Sequence, residues 1–242
     1  KDFFRKYYCP ANAILVLAGP FEYEYALALV NKWFGDIKPG KANQRNLPDE
    51  TEQIKKVRRV VCSHVPATSL YMTFRMPERM HPDFYAIDLL SDILGDGTSS
   101  RLYDRLLKNQ KLFSYIDGYI TGSVEPGVFV IEGRPAEGVS VEEAEDAIWK
   151  ELEILKCELV DEDELLKLKR KLETSNAFSE TSILNIAINL AYYEMLDEPD
   201  LINTEFDYYN AVTEQDIRKV ASDILQEHRC NTLVYLPEEK QR

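Results

Sequence analysis

Residues 94–122 read LGDGTSSRLYDRLLKNQKLFSYIDGYITG, and the order of signals inside them sets the fold class. Gly95-Asp96-Gly97 interrupts a preceding helical pattern. Thr98, Ser99 or Ser100 is placed to cap a new helix, in which Leu102, Leu106 and Leu107 recur at helical spacing. Residues 113–121, FSYIDGYIT, then put aromatic and β-branched side chains at strand positions. Glu125-Pro126-Gly127 turns the chain, and residues 128–133, VFVIEG, return it as the second arm of an antiparallel hairpin with a longer loop.

Working upstream, residues 57–63 (with VRRVV) and 68–76 (with SLYMTFRM) read as two strands joined through Pro66-Ala67. Pro82 then stands at the start of a helix over 83–94. Downstream, Ser140 with Glu143 forms a capping box for EEAEDAIWKELEILK. Further helices follow from Asp161, over 181–196 up to Pro199, and over 213–226 under a Thr213 cap, before a last strand at 231–236, NTLVYL. At the front, residues 1–8 read as the end of a helix closed by Pro10. Residues 13–18, AILVLA, read as a strand buried on both faces. Residues 23–34 form an amphipathic helix through Ala26, Leu29, Val30, Trp33 and Phe34, closed by Gly35.

Residues 39–51, PGKANQRNLPDET, are polar, contain prolines and lack periodicity, as a linker does. After them the order β-β-α-α-β-β-α-α-α-α-β predicts an α+β fold, a mainly antiparallel sheet with helices packed on one face. The two ends echo each other, with Asn12 before AILVLAG and Asn231 before TLVYLP. A repeated supersecondary unit would make 1–40 the tail of a preceding unit, 41–54 a linker, and 55–242 a second unit. That reading also has the sequence begin inside a longer polypeptide.

Composition narrows the function. A net charge of −13 with scattered basic residues excludes a phosphate track, so no nucleic-acid partner is expected. The acidic surface promotes solubility and suits basic peptides. Apolar runs stop at about half a dozen residues, far short of the roughly 20 that span a bilayer. The opening KDFFRKYY shows no targeting signal, and compartment is left open. Cys9, Cys62, Cys157 and Cys230 lack CxxC spacing and read as free, mostly buried thiols.

Catalytic patterns do not emerge. His64, His81 and His228 are not at metal-ligand spacing, and neither HExxH nor HxxEH occurs. GDGTSSR is neither a nucleophile elbow nor a phosphate loop. Cys62 and His64 stand two apart on a strand with no third group to orient them. No catalytic residue, metal ligand or cofactor is therefore assigned to this chain, and a self-sufficient enzyme is not expected.

Two segments carry a resemblance. YYCPANAILVLAGPFEYEYALALVNKWFGDIKPG resembles the close of the first half of pitrilysin/insulinase-type zinc peptidases, the inverzincins. LGDGTSSRLYDRLLKNQKLFSY resembles the second-half segment in which a helix leads to an arginine and, seven residues on, a tyrosine. The resemblance implies two related α+β halves around a chamber, one holding zinc through HxxEH and the other zinc-free and binding substrate. This chain would be the zinc-free half, with zinc in the other half, a peptide as substrate, and the zinc-bearing half as partner in the same chain or a separate subunit. Homodimerisation is a further option. Lys108 stands at the family's arginine position and Tyr115 at its tyrosine, as the implied substrate-binding pair. Arg101 would make a surface or inter-half contact. A non-catalytic partner subunit of the same family and an unrelated α+β interaction domain are the competing readings.

Overall fold

In the computed structural model, which describes residues 1–43, 47, 48, 50–122 and 124–238, the sequence patterns separate into two units. One comprises Lys1–Thr51 with Glu173–Glu205, the other Glu52–Leu172 with Phe206–Arg242. Part of the linker reading, at 44–46 and 49, lies outside the described residues. The helices in chain order are α1 (Asp2–Tyr7), α2 (Tyr23–Phe34), α3 (Phe84–Gly95), α4 (Val141–Cys157), α5 (Glu162–Ser179), α6 (Ile183–Met195), α7 (Leu201–Ala211) and α8 (Glu214–Ile224).

The second unit is built on five strands: β1 (Val57–Ser63), β2 (Ser69–Arg75), β3 (Phe113–Ile120), β4 (Val128–Pro135) and β5 (Cys230–Pro237). Their order across the sheet is β1-β5-β2-β4-β3. The expected hairpin is β3 with β4, Ile120 opposite Phe129. β1 and β2 do not pair with each other across Pro66-Ala67. Both bond to β5, which runs parallel to β1 and antiparallel to β2. The remaining pairs are antiparallel, so the α+β reading holds.

Alternation fixes which face is buried. Leu70, Met72 and Phe74 of β2 join Phe129 and Ile131 of β4 in a core closed by Ile87 and Leu90 of α3, Ile148 and Leu152 of α4, and Ile217 of α8. Each such side chain contributes about 1.5–3 kcal/mol by burial. Gly95 ends α3 directly against β3, and a Cβ there would lie 2.2 Å from both the N and the O of Gly118. Two glycines in register let helix backbone touch strand backbone.

Buried charge ties β1 to α4. Glu145 is 6% exposed, and its carboxylate meets Lys56 Nζ at 3.0 Å and Arg58 Nε at 3.2 Å. Burial opposes its ionisation, but the hydrogen bonds from Lys56 and Arg58 outweigh it and hold the carboxyl below its ordinary range. Helix starts follow the sequence closely. Ser140 Oγ accepts from the Glu143 N–H, Asp161 Oδ1 from the Asp163 N–H, and Thr213 with Asp216 completes a reciprocal capping box.

Several expectations are corrected. Residues 13–18 pair with no strand among the described residues, and Ile14, Leu15 and Leu17 are exposed. An apolar run becomes a strand only beside a ladder partner. Just before it, Asn12 Nδ2 donates to Lys6 O while its Oδ1 accepts from the Asn43 N–H, which accounts for the Pro-x-Asn sequence there. α7 escaped detection because LINTEFDYYNA mixes polar and aromatic residues and buries Leu201 alone. The cysteines are reduced, but only Cys230 is buried; Cys62 lies on the exposed edge strand β1 and Cys157 at the exposed end of α4.

Candidate functional site

The segment that opened the sequence reading folds as a π-helix, Leu102–Asn109, followed by β3. Its first turn is not capped by Thr98, Ser99 or Ser100. Arg101 takes the N-cap position without a side-chain cap bond, Ser99 Oγ accepts from Lys167 Nζ at 2.6 Å, and the Ser100 hydroxyl is buried without a hydrogen bond. Ionic anchors hold the segment instead. Arg101 is bidentate to Glu164 of α5 at 3.1 and 2.7 Å, and Arg105 reaches buried Glu151 of α4 at 2.7 Å. Arg101 is thus an internal anchor, not a surface or inter-half contact, because a fork of two donors meets a carboxylate within its own unit. The wider i→i+5 winding is seen where Gln110 N–H donates to Arg105 O.

Lys108 ends this helix. Its ammonium lies 3.4 Å from Asp104 Oδ1 and its side chain is 65% exposed, so it is an exposed point charge near the helix C-terminus. Lys111 then adopts φ 58° to swing the chain into β3. The β3/β4 ladder is irregular between Phe113 and Tyr115, and Ser114 Oγ bonds to Arg134 O there. Such a bulge re-aims the next side chain.

Tyr115 therefore projects from the face of the sheet opposite the core. Its phenol donates to Asp117 Oδ2 at 3.4 Å, and the Arg134 guanidinium sits 5.2 Å from its ring centroid. Burial, then the Asp117 and Glu132 carboxylates, raise the phenol above the ordinary tyrosine range. It is a protonated donor at neutral pH. Nearby, Tyr71 donates to Glu132 Oε1 at 3.1 Å, and Tyr71 and Tyr119 are raised in the same way, by burial first and Glu132 next. The resulting face carries phenols that donate, two carboxylates that accept and one guanidinium, a set able to hold peptide amides and carbonyls. Lys108 and Tyr115 lie on adjoining elements, and each has its own partner, Asp104 and Asp117. The sequence reading missed Asp117, Glu132, Arg134 and Tyr71. Their signal was the two-residue alternation, tyrosine and aspartate along 115–119 against glutamate and arginine at 132 and 134.

Other groups have no such setting. Burial pushes the Cys230 thiol up to about 11, which leaves it unreactive as a nucleophile at neutral pH. His64 is exposed and faces Glu238 at 3.6 Å. Among the described residues no group of three or more His, Cys, Asp or Glu side chains could hold a metal ion, so the described side chains do not fit a zinc site. No described helix is long and apolar enough to cross a membrane.

A mixed five-stranded sheet with one helix-covered face and one open polar-aromatic face defines an α+β domain. The chain belongs to the peptidase M16 inactive-domain family, whose model matches residues 1–172. It is 28% identical over 172 residues to the zinc protease PqqE of Helicobacter pylori, covering 70% of this chain and 39% of that protein. It is 22% identical over 237 residues to the uncharacterized zinc protease YmxG of Bacillus subtilis, covering 97% of this chain and 56% of that protein. The chain thus spans about two fifths to just over half the length of these relatives. A crystal structure of a protease from Helicobacter pylori superposes with a TM-score of 0.88 at 23% identity, over 98% of this chain and 58% of that one. The family match displaces the reading as an unrelated interaction domain.

Proposed function

We propose that this chain is the substrate-binding, non-catalytic half of a zinc-dependent metallopeptidase, which encloses peptides in a chamber formed with a zinc-bearing half. Zinc and its ligands belong to that other half, in the same chain or a separate subunit, and this chain alone does not cleave. Residues 1–40 complete the zinc-bearing half, 41–54 link, and 55–242 form the zinc-free domain. The exposed AILVLA segment and the uncovered apolar face of α2 support that division. Tyr115 donates its phenolic hydrogen to a substrate carbonyl or to the oxygen that becomes negative during hydrolysis. Lys108 adds a charge to the same backbone.

The observation that carries this reading is the Tyr115 phenol, partly exposed on the open sheet face between the Asp117 carboxylate and the Arg134 guanidinium. With the zinc-bearing half present, Tyr115→Phe is expected to cut peptide turnover about 100-fold, the scale of losing one oxyanion donor. Unchanged turnover would remove Tyr115 from the site. One observation favours a second reading, a non-catalytic partner subunit: the arginine position holds a lysine already paired to Asp104. A parent protein whose other half lacks HxxEH would point there.

A further inference from the structure

At the end of the sheet away from Tyr115 lies a cavity of about 450 Å³. Tyr115 neighbours Ile116, which aligns through Gly133 with Leu70 near the start of β2, whereas Arg75 and Met76 at the other end of β2 line the cavity. The separation along the strand is roughly 17 Å at 3.4 Å per residue. The volume falls in the range of small-ligand pockets, about 300–1,000 Å³.

Its floor is apolar. Met76, Ile87, Val220 and Ile224 contribute it, from the end of β2, from α3 and from α8. Its rim is acidic, with four carboxylates, Glu52, Glu78, Asp83 and Asp223, against the guanidiniums of Arg75 and Arg229. Both guanidiniums are engaged. Arg229 bonds to Glu52 Oε1 at 2.5 Å and to Asp223 O at 3.3 Å, and Arg75 has a partner of its own. Asp83 is taken by Lys219 at 2.8 and 3.0 Å, and that ammonium lies within electrostatic reach of Asp223 without bonding to it. Among the described residues the carboxylates of Glu78 and Asp223 accept no hydrogen bond. The cavity therefore offers apolar contact below and two acceptors without donors at its mouth.

We propose that this cavity binds an amphipathic cation, an ammonium or guanidinium borne on an aliphatic body, with Glu78 and Asp223 receiving the charge and Ile87, Val220 and Ile224 the aliphatic part. A carboxylate of the same shape meets like charge at the rim and is rejected. The proposal is independent of any peptidase role. Two sources supply this chemistry, a free alkylamine and a basic peptide side chain, and the test separates them.

The full chain, labelled at its methyl carbons, is titrated by NMR with n-hexylamine and with acetyl-Leu-Lys-Leu-amide. Hexanoate and acetyl-Leu-Glu-Leu-amide serve as charge controls. Saturable shifts of the Ile87, Val220 and Ile224 methyls with the cations, and none with the anions, are expected. Shifts with hexylamine alone support a free amine; shifts with both support a peptide side chain as well. The double variant Glu78→Gln/Asp223→Asn should weaken cation binding about tenfold while leaving the thermal midpoint unchanged. If that variant is unstable, raising salt on the native chain must weaken binding in the same direction. Equal shifts from hexanoate, or no saturable shift with either cation, would overturn the assignment.

Discussion

The two units of this chain carry the same kind of hydrophobic patterning but bury it to very different extents. In the sheet-bearing unit, apolar positions of α3, α4 and α8 vanish into a shared core. In the unit of Lys1–Thr51 and Glu173–Glu205, the buried hydrophobics among the described residues are Tyr193, Leu196 and Leu201, while Trp33 and Phe34 of α2 are 68% and 51% exposed. Periodicity reports that a helix has a face. It does not report whether the chain supplies something to cover that face.

The sharpest way to break the contrast is to attack the tightest contact of the sheet unit. Gly95→Ala puts a methyl group onto the Gly118 backbone, where rotamer changes give no escape. A loss of about 3 kcal/mol is expected, read as a lower denaturant midpoint. Next comes the ion cluster. Glu145→Ala strands Lys56 and Arg58, both about one-third exposed, and a loss of about 2 kcal/mol is expected after allowing for solvent screening. Its pH dependence has a definite sign. Because the folded carboxyl titrates below its unfolded value, the stabilisation is present above about pH 4 and is lost as pH falls, and the variant should lose that acid slope.

Asp92 works the other way. Burial, then the neighbouring Asp88 and Asp96 charges, push its carboxyl up to about 7, and Lys171 opposes them. The folded state holds the proton more tightly than the unfolded state, so stability falls as pH rises from about 4 to about 7. Asp92→Asn should remove that slope and gain about 1 kcal/mol at pH 8, after discounting for solvent access. The smallest effect belongs to the other unit. Trp33→Gln should change stability by less than about 0.5 kcal/mol in this chain, as exposed substitutions do. In a protein that includes a zinc-bearing half the same change should cost about 2 kcal/mol if α2 is buried there. Equal small effects in both would argue against residues 1–40 completing that half.

Much of the fold was legible because its signals are local. Capping residues at 140, 161 and 213, and alternation through SLYMTFRM, name elements without help from distant sequence. Strand order was not legible, because a connection as short as Val65-Pro66-Ala67 looks like a hairpin unless a third strand is known to intervene. At the candidate site the sequence pointed to Lys108 and Tyr115 one by one. It could not show that Arg134 would stack on Tyr115 or that Asp117 would take its hydrogen bond, since both depend on cross-strand register. Nor could it distinguish Arg101 as an internal anchor from a surface residue, because Glu164 lies on another helix.

The placement of β5 between β1 and β2 has a consequence for how the protein is made. The strand synthesised last of the five occupies an interior position of the sheet. Until residues 230–237 leave the ribosome, β1 has no neighbour and β2 has one bare edge. Nascent chains must wait in that open state, which invites pairing with other chains and gives chaperones a defined target. The final zipping step joins segments far apart in the sequence, so it should be slow, and a chain truncated before Cys230 would leave the sheet split in two.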